Sequence, residues 1–488
     1  MDSKRMVGRD SKREESQLEA LASLPPELEE EMKKLDKLFW VDREKLKSIT
    51  KRFGEELEEG LEANGRNIPM NITWVLGFPT GKEEGSFLTL DLGGTNLRVC
   101  WIELTDKRGG NEVTQDQYKL PSELKTGDAE PLWNFIAESL EKFIQDHELK
   151  ADKENPLPLG FTFSYPATQD YIDHGVLQTW TKGFDIKGVE GHDAAAQLRE
   201  AMDKKDLPIR LVALINDTTG AMIASAYNDP ETIIGAIFGT GCNAAYMEDC
   251  GSIPKIKGKL PNDTPMAINC EYGAFDNSHR VLPRTPYDDA IDRESPRPGE
   301  QTFEKLSAGL YLGEIFRQVL VDLHNRGFVF KNQDVSTLKK PYSLDTGFLS
   351  AIEDDESTKL SKTRDNFREI LNIELTEPEL EVSRRLAELI ALRGARLCTC
   401  GVAAICKKKN VSKGHVAADG SVANKHPKFK HRWASALGEI LDWPSDREED
   451  PIILTSAEDG SGVGAAIISA MTMERSKQGN LAGIKEHL

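Results

Sequence analysis

The 488-residue chain is 39% hydrophobic and 29% charged, which supplies enough apolar material for two or three compact lobes and too much for a single core. With 81 acidic residues against 62 basic ones, its net charge of −19 argues against nucleic acid as the main partner. No uninterrupted apolar run approaches the ~18 residues that would cross a bilayer, so membrane insertion is not expected either.

The first 16 residues are polar and charged, lack the apolar core of a secretion signal, and are expected to form a flexible tail. Between residues 18 and 62, Leu21, Leu24, Leu28, Met32, Leu35 and Leu38 recur every three or four positions. This predicts a charged amphipathic helix that Pro25 and Pro26 start or break. A strand is expected at 73–77. Residues 87–103, FLTLDLGGTNLRVCWIE, then read as a strand, a glycine turn and a returning strand. Gly93 and Gly94 let backbone N–H groups approach an oxyanion, and Thr95 and Asn96 add polar groups at the tip. Asp91 is placed to orient the water shell of Mg²⁺ beside a nucleotide phosphate. Taken alone, the same pattern also describes an ordinary glycine hairpin.

A loop is expected at 106–128, then a helix at 131–149 with Trp133, Phe135, Ile136, Leu140 and Phe143 on one face, then a buried strand at 157–164. That order suits an α/β lobe. Ser164 closes the strand in FTFSYPATQ, and WTKGFD offers Thr181 and Lys182 beside Gly183; each is ordinary turn chemistry by itself. In LVALINDTTGAMIASAY, an apolar strand delivers Asn216 and Asp217 to the mouth of the sheet, ahead of a helix of small residues. Asp217 is the candidate general base, with a helix N-cap at Asp217 or Thr218 as the structural alternative.

Residues 233–247, IIGAIFGTGCNAAYM, repeat the strand–turn–strand unit with a turn at Gly239, Thr240 and Gly241. Two such units at matching places in two α/β halves predict a duplicated fold that grips a nucleotide from both sides. MAINCEYGAF adds Asn269 and Glu271. Amides and carboxylates of this kind suit a polyhydroxylated ligand, because they exchange hydrogen bonds with hydroxyls in defined geometry. Seven scattered cysteines point to a reduced, cytoplasmic setting. Cys398, Cys400 and Cys406 share a helical run with no neighbouring His and no CxxC spacing, which argues against zinc. Asp419, Gly420 and Ser421 form another glycine-containing turn that resembles the phosphate hairpins in composition. Gly460, Ser461 and Gly462 open a long small-residue helix whose start favours phosphate and a closely approaching adenosine.

The ordered series LDLGGTN, LGFTFSYPA, LQTWTKGFD, INDTTG, IFGTGCNAAY, MAINCEYGAF, PRPGEQTFEKLSAGLYLGEI and EDGSGVGAA resembles the eukaryotic hexokinases, and most closely the glucokinases and hexokinases of fungi. The resemblance implies a two-lobed actin-like (ribonuclease H-like) α/β ATPase fold with duplicated halves and an interlobe cleft. Its divisions would be a tail at 1–16, an N-terminal half at 17–224, a C-terminal half at 230–474 and a tail at 475–488. The implied activity is ATP-dependent phosphorylation of the 6-hydroxyl of glucose, or of fructose or mannose, the opening step of glycolysis. Mg²⁺ would arrive with ATP and be held through water near Asp91, with no metal site made by protein alone.

The implied sugar set is Ser164, Thr181, Lys182, Asn216, Asp217, Asn243, Glu271 and Glu304, with Asp217 and Lys182 catalytic. The implied nucleotide set is Asp91, Gly93, Gly94, Thr95, Asn96, Arg98, Thr240, Asp419, Gly420, Ser421, Gly460, Ser461 and Gly462. Glu304 comes from the resemblance alone, since FEKLSAGLYLGEI reads as one amphipathic helix with an acid in its first turn. Tyr165, Cys242 and Ala244 depart from the commoner residues of the family and leave the reactive groups intact. The implied partners are a hexose and ATP, in the cytoplasm, for a monomer or a homodimer. Two other readings stay open at this point: a hexokinase-like sugar sensor with little catalysis, and an actin- or chaperone-type ATPase. The second has no use for Ser164, Asn243, Glu271 and Glu304 together.

Overall fold

The computed structural model describes residues 24–93, 96–105, 109–181, 184–426, 428–444, 446–457 and 460–485. The expected tail at 1–16, the sites Gly94, Thr95 and Lys182, and the last three residues of the expected tail at 475–488 lie outside the described residues.

Pro25 and Pro26 start a helix rather than interrupt one, since a proline in the first turn forfeits no helical hydrogen bond. Helix α1 (Pro26–Phe39) buries Leu28, Met32, Leu35 and Phe39. Leu38, expected on that face, is 38% exposed; a 3.6-residue period reaches Phe39, four residues after Leu35, instead. The expected single helix reaching residue 62 is two helices. Asp42 accepts from the Lys45 N–H at 2.8 Å and caps α2 (Arg43–Glu62). Strand β1 (Asn71–Leu76) follows.

The next elements are β2 (Gly85–Leu92), β3 (Asn96–Leu104), β4 (Asn111–Lys119), helix α3 (Ala129–Asp146), β5 (Leu157–Phe163), the short strands β6 (Ala167–Thr168) and β7 (Val176–Leu177), helix α4 (Ala194–Lys204) and β8 (Ile209–Ile215). They form a sheet of order β4-β3-β2-β5-β8, antiparallel across its first three strands and parallel from β2 to β8. Strand β4 corrects the expected loop at 106–128. It pairs along the whole of β3, but its side chains are mostly polar and largely exposed at the sheet edge, so no alternating apolar signal marks it. Trp133, Ile136, Leu140 and Phe143 of α3 pack with Phe161 and Phe163 in the core of this small lobe, with Phe135 at its margin.

Helix α5 (Asp217–Asn228) leads to β9 (Thr232–Phe238), β10 (Cys242–Asp249) and β11 (Pro265–Asn269). The helices α6 (Pro286–Glu294), α7 (Thr302–Ser307), α8 (Gly309–Asn325), α9 (Thr346–Glu353), α10 (Ser361–Asn366) and α11 (Glu377–Lys409) follow. The chain then completes β12 (Gly414–Asp419), α12 (Ser421–Lys425), α13 (Phe429–Ile440), β13 (Ile452–Ser456) and α14 (Gly460–Lys477). The large-lobe sheet runs β1-β11-β10-β9-β12-β13. Without β1, its five strands repeat the order and the pairing directions of the small-lobe sheet. The expected duplication is thus present in the topology. Helix α11 is long and apolar enough to cross a membrane, but its most apolar window is 94% buried in the large lobe, where Arg393 makes two 2.7 Å hydrogen bonds to Asp288.

The lobes exchange their terminal helices. Helix α5, which follows the last small-lobe strand, packs on β9 and β10; α14, which follows the last large-lobe strand, packs on β2, β5 and β8. The two cross at small residues. A Cβ on Gly464 would fall 2.1 Å from the Gly220 carbonyl oxygen, so only glycine permits this approach. The expected boundary between 224 and 230 therefore separates the sequence repeats and not the lobes. Strand β1, well before residue 224, belongs to the large-lobe sheet, and α1 and α2 pack against α11.

Candidate active site

The parallel strands of the small lobe end together and set out the first polar groups. Asp91 stands near the end of β2, Ser164 follows β5 and Asn216 follows β8. Asn216 is the cap of α5: its Oδ1 accepts from the Thr218 N–H at 2.9 Å. This corrects the alternative that Asp217 or Thr218 caps the helix. Asp217 is the first helical residue, partly buried, and its Oδ1 accepts from the Thr218 N–H at 2.8 Å and from the Thr218 hydroxyl at 3.3 Å. Such fixed donors orient the carboxylate while leaving it at the mouth of the sheet.

The large lobe answers with an amide and carboxylate network. Glu271 follows β11 in a left-handed conformation, φ 55°, which costs of order 1–3 kcal/mol and is held here by its neighbours. Its Oε1 accepts from Asn269 Nδ2 at 2.9 Å, Asn216 Nδ2 at 3.2 Å and Asn243 Nδ2 at 3.3 Å, and its N–H donates to Asn243 Oδ1 at 2.8 Å. Asn243 also donates to Asn269 Oδ1 at 2.7 Å and to the Thr218 hydroxyl at 3.0 Å. Asp217 is thereby linked through Thr218 and Asn243 to Glu271. Asn216, Asn243 and Asn269 are all nearly buried, at 7%, 7% and 3% exposure, so their amides hold one geometry.

Glu304 joins from the first turn of α7, where its Oε2 accepts from the Cys242 N–H at 3.1 Å. A Cβ on Gly241 would sit 2.6 Å from that oxygen, which ties the glycine of the second hairpin to the presence of Glu304. The single helix expected for FEKLSAGLYLGEI is broken at Ala308, whose backbone is extended. The break lets the Gly309 and Leu310 N–H groups donate to the carbonyls of Gly239 (2.7 Å) and Thr240 (3.2 Å), fixing the hairpin turn. Thr181, partly buried, follows the fully buried Trp180; Lys182 lies outside the described residues.

The residues expected at the nucleotide fall into two groups. In the first, Oδ2 of Asp91 accepts from Arg98 Nη2 at 2.6 Å and from the Ser461 hydroxyl at 2.8 Å, while Gly93 closes the turn with its N–H on Asn96 O at 3.1 Å. Gly460 and Gly462 flank Ser461 at the start of α14 as expected. In the second, Thr240 is exposed at the β9–β10 turn beside Asp419, Gly420 and Ser421. Gly420 has φ 112°, and a Cβ there would meet the Phe238 carbonyl at 2.6 Å. Residues 416–422 are a strand leading into a helix, not a further hairpin. Thr218 enters the sequence reading only as an alternative helix cap, and Asn269 is left out of the sugar set; only the folded network reveals that both position their neighbours.

Two family models, each described as hexokinase, match residues 31–227 and 233–471. The chain belongs to the hexokinase family. The hexokinase of Emericella nidulans is 57% identical over 484 residues, covering 99% of this chain and 98% of the relative. The hexokinase of Kluyveromyces lactis is 53% identical, over 96% of this chain and 97% of the relative, and hexokinase-1 of Saccharomyces cerevisiae is 50% identical, over 98% and 99%. Among solved structures, a hexokinase from Schistosoma mansoni complexed with glucose superposes with a TM-score of 0.84 at 34% identity, covering 91% of this chain and 99% of that one. A second hexokinase crystal structure gives 0.77 at 28% identity, covering 92% and 100%. The two-lobed α/β hexokinase fold and the fungal affinity expected from the motifs are both confirmed, and the chain is an enzyme of the hexokinase class.

Proposed function

We propose that the cleft transfers the γ-phosphoryl group of ATP to the 6-hydroxyl of a hexose, glucose first, with Asp217 as the general base. The observation that carries this reading is the unbroken hydrogen-bond path from Asp217 through Thr218 and Asn243 to Glu271, a proton acceptor built into a hydroxyl-binding network. The glucose in the Schistosoma mansoni relative supports glucose as the first candidate. Asp217 takes the hydroxyl proton as the C6 oxygen bonds to the γ-phosphorus; the bond to the β–γ bridging oxygen breaks and ADP leaves. Such a base typically contributes ~10² to 10⁴ in rate. The rest comes from positioning and from donors aimed at the phosphoryl oxygens, the part assigned to Thr240, the first hairpin and Lys182. A cleft that closes only around sugar keeps water from competing as the nucleophile.

The residues fit Mg²⁺ arriving with ATP. Asp91 has its Oδ2 engaged by Arg98 and Ser461 at 8% exposure, and a carboxylate of this kind is a hard oxygen ligand suited to the water shell of the ion. When bound, the ion would neutralise charge on the β- and γ-phosphate oxygens. All seven cysteines are buried free thiols, which supports a cytoplasmic setting.

Asp217→Ala is expected to keep hexose binding by calorimetry and to lose nearly all turnover; substantial remaining turnover overturns the base assignment. Comparing ATP-dependent turnover of glucose, fructose and mannose ranks the substrates. A wild-type protein that binds glucose without turnover would instead be the sugar sensor.

A further inference from the structure

Two loops that carry opposite walls of the sugar site meet at an ion pair. On the small-lobe side, Trp180 is 1% exposed and wedged against Tyr165 and Phe184, with ring centroids 4.7 and 5.4 Å away. Its indole N–H donates to Ile186 O at 3.0 Å. Its backbone N–H, one residue before Thr181, donates to Glu190 Oε1 at 2.5 Å. The same carboxylate oxygen accepts from Arg297 Nη2 at 2.9 Å. Arg297 belongs to the large lobe, in the loop between α6 and α7 that delivers Glu304.

That loop is anchored as firmly as its counterpart. The Arg297 carbonyl accepts from Lys305 Nζ at 2.8 Å, and this amine also donates to Asp292 Oδ1 at 2.7 Å. Lys305 is 4% exposed, so the two bonds are shielded from water. Gly299 donates its N–H to both Asp292 oxygens at 3.0 Å. Each end of the Glu190–Arg297 pair is therefore a rigid extension of a sugar-binding segment, and the pair joins the two.

We propose that Glu190 and Arg297 form an interlobe clasp at the rim of the cleft, a positioning pair that holds the Thr181 segment and the Glu304 loop at the spacing a hexose requires and so sets hexose affinity. The proposal rests on the sugar-site reading above. Both side chains are 39% exposed. An ion pair in that setting is modest and screened by salt, so it adds to the sugar's own contacts without locking the cleft against substrate entry or product release.

The test uses the full-length protein and steady-state kinetics with glucose and MgATP. Arg297→Ala and Glu190→Gln, the latter keeping an acceptor for the Trp180 N–H, are each expected to raise the glucose KM about two- to five-fold, the range of an exposed ion pair. The kcat and the ATP KM should stay within about twofold, the double variant should be no worse than either single one, and Arg297→Lys should restore most of the affinity. The wild-type glucose KM should rise with salt over about 0.05 to 0.5 M, and that of the variants should not. An unchanged glucose KM in the single variants, additive effects in the double variant, or a parallel fall in kcat overturns the clasp while leaving the sugar site standing. Absence of glucose turnover and glucose binding in the wild type overturns both.

Discussion

The Ser461 hydroxyl donates to Asp91 Oδ2 at 2.8 Å, joining the first turn of the last helix to the end of the first hairpin strand. Arg98, the cross-strand partner of Asp91, donates to the same oxygen at 2.6 Å and also reaches the Ser461 hydroxyl at 3.2 Å. One carboxylate oxygen thus fastens α14 to the sheet on which it packs, at the point where the exchanged helix enters the small lobe.

Ser461→Ala removes a hydrogen bond to a nearly buried charge, an interaction worth about 1.5–3 kcal/mol. Urea unfolding should show a loss of that size. Because Ser461 stands in the proposed nucleotide group and not in the amide network, the ATP KM should rise several-fold while calorimetric glucose affinity changes by less than about twofold. A loss confined to glucose affinity would mean that the Asp91–Ser461 contact serves the sugar site instead.

The amide network makes a sharper prediction at Asn269. Its Nδ2 donates to Glu271 Oε1 at 2.9 Å while its Oδ1 accepts from Asn243 at 2.7 Å, so Asn269→Asp keeps the acceptor and replaces the donor with a second carboxylate oxygen. Two carboxylates at that distance cannot both ionise, and one retains its proton to a pH well above the usual carboxylate range. While the proton is present, the acid O–H can donate to Glu271 much as the amide does. Glucose affinity of the variant should therefore be near that of the wild type at low pH and fall as pH rises through the raised pKa. Calorimetric titration from about pH 5 to 8 checks this, and a variant whose affinity is flat across that range would contradict it.

What could be read from the sequence followed from how local each signal is. The two glycine hairpins, the strand delivering Asn216 and Asp217, and the small-residue helix at Gly460 are stated by neighbouring residues, and each stands where expected. Strand β4 is held by pairing to β3 alone and presents polar side chains to water, so nothing in its own residues marks it. The exchange of α5 and α14 is invisible for a related reason. Both are helices of small apolar residues that would suit either sheet, and their partners are fixed by the Gly220–Gly464 approach across the whole chain. Glu304 is hidden because an acid in the first turn of a helix is favourable anywhere; the one local clue is Gly241, which leaves room for its carboxylate. The left-handed Glu271 and the cap at Asn216 likewise depend on partners far away in sequence.

A last prediction concerns acid stability behind the proposed nucleotide segment. Helix α12, which Ser421 opens, and His426 follow Asp419 and Gly420, and His426 Nε2 stands 2.8 Å from Oε2 of Glu353 at the end of α9. Arg432 of α13 donates to the two oxygens of Glu353 at 2.6 and 3.1 Å. Burial by itself would raise the Glu353 carboxyl, but Arg432 and His426 outweigh it and hold the group at about 2, below its ordinary 4.5. A depressed folded-state pKa contributes stability that is fully present above 4.5 and is lost as pH falls toward 2, roughly 3 kcal/mol over that window. Glu353→Gln should therefore be destabilised at neutral pH by about 3–5 kcal/mol, since it leaves Arg432 without its main buried counter-charge. The gap between variant and wild type, measured by chemical denaturation at a series of pH values, should narrow as pH drops from 4.5 to 2 because the wild type is losing what the variant never had. A gap that stays constant through that window would show that Glu353 acts there by shape and hydrogen bonding, and not by its charge.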